Sequence, residues 1–177
     1  MANLKLTGVA SLALALAACG GEQKTEAVEK APAKLAAGLY EVNAEVTQLA
    51  STDNTTPGTQ LKQGDKQVIR ACVAADGKPA PELLAEQGDV CTIKNSYIRN
   101  GRMSAQMSCK REGRSGEVMP AMMGSFSAEG FEGEITTLTY FVAEGDYRMT
   151  RKIAAKRVGD CPPGGPAAEN AVEGAKE

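Results

Sequence analysis

Apolar and polar residues alternate through the middle of the chain, and that period of two predicts strands. Tyr40, Val42, Ala44 and Val46 fall on one side of a first strand, with Glu41, Asn43, Glu45 and Thr47 on the other. A second strand runs from Gln67 to Val73, with Val68, Ile69 and Val73 as its apolar members. Pro79 to Gln87 holds Pro-Glu-Leu-Leu-Ala-Glu, which fits one or two helical turns opening at Pro81, where a missing backbone donor does no harm. Glu117 to Ser127, Phe131 to Val142 and Tyr147 to Val158 read as further strands, with Ile135, Thr137, Thr139 and Phe141 sharing one side of the second of these. Pro120 cannot donate to a ladder, so Glu117–Ser127 is expected at a sheet edge or to carry a bulge.

The segment from Cys91 to Cys109 predicts a hairpin. Asn100-Gly101 is a strong turn signal. A three-residue loop, Arg99-Asn100-Gly101 with Gly101 left-handed, sets Tyr97 against Met103, Asn95 against Ala105, Ile93 against Met107 and Cys91 against Cys109. Thr92, Lys94, Ser96, Ser104, Gln106 and Ser108 then share the opposite face, so turn chemistry, polarity and cysteine pairing agree on one register. The expected fold is all-β: a single antiparallel meander of about seven strands, forming a curled sheet or a small barrel.

The ends of the chain carry a different pattern. Lys5 is the sole charge before Cys19, and Leu6 to Ala18 is an uncharged run rich in Leu and Ala. This fits a secretory signal over residues 1–18 and is shorter than the about 20 apolar residues needed to span a bilayer. The run ends in Leu16-Ala17-Ala18-Cys19, which resembles the lipobox of bacterial lipoproteins: cleavage before Cys19 and a Cys19 thiol that accepts diacylglycerol. Gly20 follows rather than Asp, and by resemblance to sorted lipoproteins that implies the outer membrane of a Gram-negative cell, on its periplasmic face. Residues 20–37 are polar and Ala-rich and read as a disordered tether. Residues 162–177 open with Pro-Pro-Gly-Gly-Pro, lack apolar periodicity and read as a disordered tail, which leaves one β domain over residues 38–161.

The chain has five cysteines. With Cys19 lipidated, Cys72, Cys91, Cys109 and Cys161 remain, an even number in an exported protein, which argues for two disulfides. Four cysteines allow three connectivities. The hairpin register selects Cys91–Cys109 and leaves Cys72–Cys161. No pair is spaced Cys-x-x-Cys, and the chain has no His, so a redox or zinc site is disfavoured.

Gly38-Leu39-Tyr40-Glu41-Val42 at the opening, single cysteines at Cys72, Cys91 and Cys109, and the closing Arg157-Val158-Gly159-Asp160-Cys161 resemble the domain-of-unknown-function family numbered 3617. The resemblance spans roughly Leu35 to Cys161, and the closing motif is its most specific part. The chain departs from the family in having Leu39-Tyr40 where a Trp is usual. The family's members are small exported Gram-negative proteins, many of them lipoproteins. It has no established activity, so the resemblance implies fold and compartment but no catalytic residue.

Composition narrows the function classes. A mature chain from Cys19 carries 19 basic and 22 acidic side chains. That balance gives no electrostatic reason to expect nucleic acid or an anionic surface as partner. Without His, a Ser-His-Asp triad is excluded. Glu132 with Glu134, and Glu41 with Glu45, alternate on strands and read as solvated faces, and Gly113-Arg114-Ser115-Gly116 reads as a turn. Thioethers can hold Cu(I), but Pro120 and Ala121 separate Met119 from Met122 and Met123. No enzyme activity, metal or cofactor is therefore expected. The expectation is a monomeric lipoprotein whose partner is the membrane, through its lipid, and which binds a small hydrophobic molecule in a pocket formed by Met103, Met107, Met122, Met149 and Tyr97, because methionines suit adaptable pockets. The alternative is a protein-interaction or structural envelope role through an exposed edge at Glu117–Ser127.

Overall fold

A computed structural model describes residues 32–163 and the backbone of residues 169–171. The expected signal segment, Cys19, most of the expected tether and most of the expected tail lie outside the described residues. Seven strands follow one another: β1 (Gly38–Ser51), β2 (Lys66–Val73), β3 (Asp89–Arg99), β4 (Arg102–Arg111), β5 (Gly116–Phe126), β6 (Gly130–Phe141) and β7 (Tyr147–Gly159). They pair antiparallel into one curled half-barrel sheet. An eighth strand of three residues, β8 (Glu169–Ala171), pairs with β2. The order is β3-β4-β5-β6-β7-β1-β2-β8. The tail was expected to lack regular structure; β8 needs no apolar periodicity, because it uses only the backbone groups that β2 leaves free at its outer side.

Alternation places the core. Tyr40, Val42 and Ala44 of β1, Ile69, Ala71 and Val73 of β2, and Met103, Ala105, Met107 and Cys109 of β4 are buried on the concave face. Val118 and Met122 of β5, Phe131 and Ile135 of β6, and Ile153 of β7 join the same cluster. The expected inward side of β1 is thus observed. In β2 the buried set is Gln67, Ile69, Ala71 and Val73, so Val68 turns outward. A 3-10 turn, Pro81–Leu83, opens with Pro81 as expected and lowers Leu83 and Leu84 into the open side of the half-barrel. Leu35 is also fully buried in this core, so the folded domain begins before Gly38.

Both expected disulfides are present. Cys91–Cys109 joins β3 and β4 with Cα atoms 4.0 Å apart. Cys72–Cys161 joins the end of β2 to the chain leaving β7, 6.0 Å between Cα atoms, across the start of β1. It closes a separation of 89 residues.

Two expectations are corrected. The hairpin turn has two residues, not three: Asn100 (φ 52°) and Gly101 (φ 72°) are both left-handed and Arg99 pairs with Arg102. Cys91–Cys109 and Ile93–Met107 keep the expected register, and a bulge between Ile93 and Asn95 absorbs the difference. Beyond the bulge Tyr97 pairs with Ser104 and faces outward, while Ile98 takes the inward place opposite Met103. The second correction concerns β5, which is not an edge. It lies between β4 and β6, and Pro120 is accommodated because the ladder to β4 has no bridge at Met119 or Pro120 while the ladder to β6 runs on through Pro120–Thr137. Among the described residues the sheet ends in β3 on one side and in the three-residue β8 on the other, so β3 is the longer open edge.

Candidate functional site

The half-barrel has two unlike ends. At one end lie the start of β1, the β3–β4 turn and Cys161. At the other, β4 and β6 finish, β3, β5 and β7 begin, and charged side chains enter the interior. The alternation of β4 points Arg111 inward after Cys109, that of β3 points Asp89 inward, and that of β7 points Arg151 inward between Met149 and Ile153.

These groups satisfy one another. Arg111 holds Asp89 with two parallel bonds, Nε to Oδ1 at 2.7 Å and Nη2 to Oδ2 at 2.9 Å. Its Nη2 also lies 2.9 Å from Glu86 Oε2. Its Nη1 donates to the Gly58 carbonyl and to the Tyr147 hydroxyl, each at 2.9 Å. Tyr147 in turn donates to Glu86 Oε2 at 2.7 Å, and Thr59 Oγ1 donates to Glu86 Oε1. Arg151 reaches the carbonyls of Leu84 (2.7 Å) and Ala85 (3.1 Å), the oxygens left over where the 3-10 turn ends. Two cations and two carboxylates thus pin the 81–89 segment onto the sheet, with Leu83 and Leu84 packed below.

Electrostatics follow from this burial. Burial alone pulls the Arg111 guanidinium down, but the Asp89 bonds and the Glu86 charge more than reverse it, so Arg111 is held charged. Burial pushes the Asp89 carboxyl up, against the lowering pull of Arg111. Burial first, then the charge of Glu86, raises the Tyr147 phenol well above its ordinary value. Burial lowers the fully enclosed Arg151, whose Nε has no hydrogen-bond partner among the described residues. Every carboxylate here is engaged by a donor, so the cluster is arranged to hold a segment in place rather than to offer a free base. Gly58, Thr59, Glu86, Gln87, Arg111 and Glu112 line part of an open trough of about 2010 Å³. Apolar ligand pockets enclose most of their ligand in roughly 300–1,000 Å³; this trough is larger and open, and its lining mixes these polar groups with Pro57, Leu61, Val68 and Ile153.

None of the five expected pocket residues lines the trough. Met103, Met107 and Met122 are buried in the large core cluster, and Met149 packs with Val46 and Tyr147 in a smaller one. Tyr97 stands apart on the outer face, 52% exposed. Met119 and Met123 also face outward, at 45% and 74% exposure, away from Met122. Glu132 and Glu134 are exposed, Glu41 pairs with Arg70, and Glu45 pairs with Lys66. Among the described residues no group of three or more Cys, Asp or Glu side chains is placed to hold a metal ion.

The outer face therefore carries the exposed apolar residues. Cross-strand pairing sets Tyr97, Ser104 and Met123 in one row and Met119 beside Leu138, with Tyr140 next along β6. Val90, at 78% exposure, lies on the same face of β3. Residues 35–161 match the sequence model of a family described as "Protein of unknown function (DUF3617)". No curated protein and no solved structure matches the chain.

Proposed function

The chain belongs to the DUF3617 family of proteins of unknown function, and from that premise we propose that it is a non-catalytic, lipid-anchored periplasmic protein that docks a protein partner on its outer face. In this reading Cys19 carries the lipid at the outer membrane and the β domain is held off the bilayer by the tether. One observation supports partner docking above small-ligand binding: the core cluster on the concave side is filled by buried methionines and aliphatic residues, whereas the open β3 edge carries exposed Val90 and Tyr97 and the outer face beyond it carries Met123, Met119 and Tyr140. Unpaired strand edges and exposed apolar patches are the surfaces that protein partners use.

The test is photo-crosslinking in intact cells with a photoreactive amino acid in place of Tyr97, and in a second strain in place of Lys66 on the other flank. The proposal predicts a discrete adduct from position 97, absent from position 66 and lost with Met123→Glu. Equal labelling from both positions, or none from position 97, overturns it. Palmitate labelling that survives Cys19→Ala overturns the anchor.

A further inference from the structure

The outer face is divided by charge. On its β6–β7–β1–β2 flank charges alternate across the strands: Glu134 faces Lys152, Lys152 faces Glu45, and Glu45 faces Lys66. The β3–β4 hairpin differs. From Val90 to Lys110 there is no acidic residue, yet Lys94, Arg99, Arg102 and Lys110 are all exposed. None of the four forms an ion pair among the described residues, while Lys66 and Arg70 pair with Glu45 and Glu41. In a chain of net charge −2, that is a local concentration of one sign.

The same hairpin has the open edge. No backbone hydrogen bond runs from residues 90–99 to any element but β4 among the described residues. Cys91, Ile93 and Ile98 point toward the core but stay half-buried, because no neighbouring strand covers the rim. Unpaired donors and acceptors, half-covered inward apolar side chains and uncompensated outward cations together specify what fits.

We propose that β3 accepts a short, acidic, extended segment of another protein as an added strand, its apolar side chains covering Ile93 and Ile98 and its carboxylates lying beside Lys94, Arg99 and Arg102. This rests on the partner-docking reading above and gives that partner its chemistry. The backbone ladder supplies the contact and the charge supplies the choice. A second copy of the chain is a poor occupant, since pairing two β3 edges brings together two strands that carry Lys94 and Arg99 and no acidic residue from Val90 to Arg99. The bulge after Ile93 breaks the edge into two short runs, which limits the length of segment accepted.

The experiment uses the full mature lipoprotein in non-ionic detergent micelles. Two fluorescent peptides of about nine residues, a usual strand length, are titrated against it: one alternating Val and Glu, the other alternating Val and Lys. The acidic peptide is expected to bind at least about tenfold tighter, from several exposed charge contacts of modest worth each, and to weaken with added salt. A triple variant, Lys94→Glu, Arg99→Glu and Arg102→Glu, reverses the preference, whereas Lys66→Glu with Lys152→Glu on the other flank leaves it unchanged. Equal binding of the two peptides, or a preference that follows the Lys66 and Lys152 variant, overturns the proposal. Binding of neither peptide, with the hairpin amides protected by phosphatidylglycerol added to the micelles, assigns the face to the membrane and also overturns it. A Tyr97 adduct alongside failure of the acidic peptide defeats only the partner's chemistry; loss of both defeats the docking reading itself.

Discussion

Arginine and methionine occur on both faces of this sheet and do opposite things there. Inside, Met103, Met107, Met122 and Met149 are at most 3% exposed, and Arg111 and Arg151 are locked to carboxylates and carbonyls. Outside, Met119 and Met123 lie open, and Arg99 and Arg102 have no ion pair among the described residues. The difference is one of environment rather than residue type. A buried guanidinium must be paired because desolvation is costly, whereas an exposed one is free to meet a partner. Stability should thus reside on the concave side, and recognition on the convex one.

The sharpest break in that contrast is Arg111→Ala. It leaves Asp89 and Glu86 buried without their cation, and a loss of about 3–5 kcal/mol is expected from denaturant unfolding. Met122→Ala opens a cavity in the main core and should cost about 2–5 kcal/mol in the same measurement. Tyr147→Phe removes the hydroxyl that accepts from Arg111 and donates to Glu86, while their direct ion pair stays, at about 1–3 kcal/mol. It also changes pH dependence. The Tyr147 pKa is raised in the folded state, so its contribution is complete below the ordinary phenol value of 10.0 and is lost as pH climbs above it. The native protein should lose stability on that alkaline limb, and the Phe variant should show a flatter one in thermal melts from pH 9 upward. Met123→Ser, on the convex side, should move stability by less than about 0.5 kcal/mol while weakening the Tyr97 crosslink.

The sequence carried most of the fold because its cues were local and mutually consistent. The Cys91–Cys109 pair, the Asn100-Gly101 turn and the alternation of β1 each constrain neighbours in the chain. The outward place of Tyr97 is not legible because Asn-Gly serves both two- and three-residue loops, and the bulge that reconciles the register has no sequence mark. Pro120 suggested an edge because the chain alone does not say which side of a strand a missing donor faces. The charge network leaves a partial signal in the sequence. Arg111 follows Met103, Met107 and Cys109 at even spacing, and Arg151 sits between Met149 and Ile153 at the same period. A cation at an inward position of a strand requires a buried partner, but the identity of that partner, in a segment far off in sequence, is a tertiary fact.

The proposed docking on the outer face requires that the core of the half-barrel be filled by its own side chains. Mass spectrometry on a solvent extract tests it most directly, using the chain from Glu22 onward, exported to an oxidising periplasm, purified without detergent and compared with a blank. No bound apolar compound is expected. A lipid or other apolar molecule recovered at about one per chain, against the filled interior expected from core packing, would contradict it.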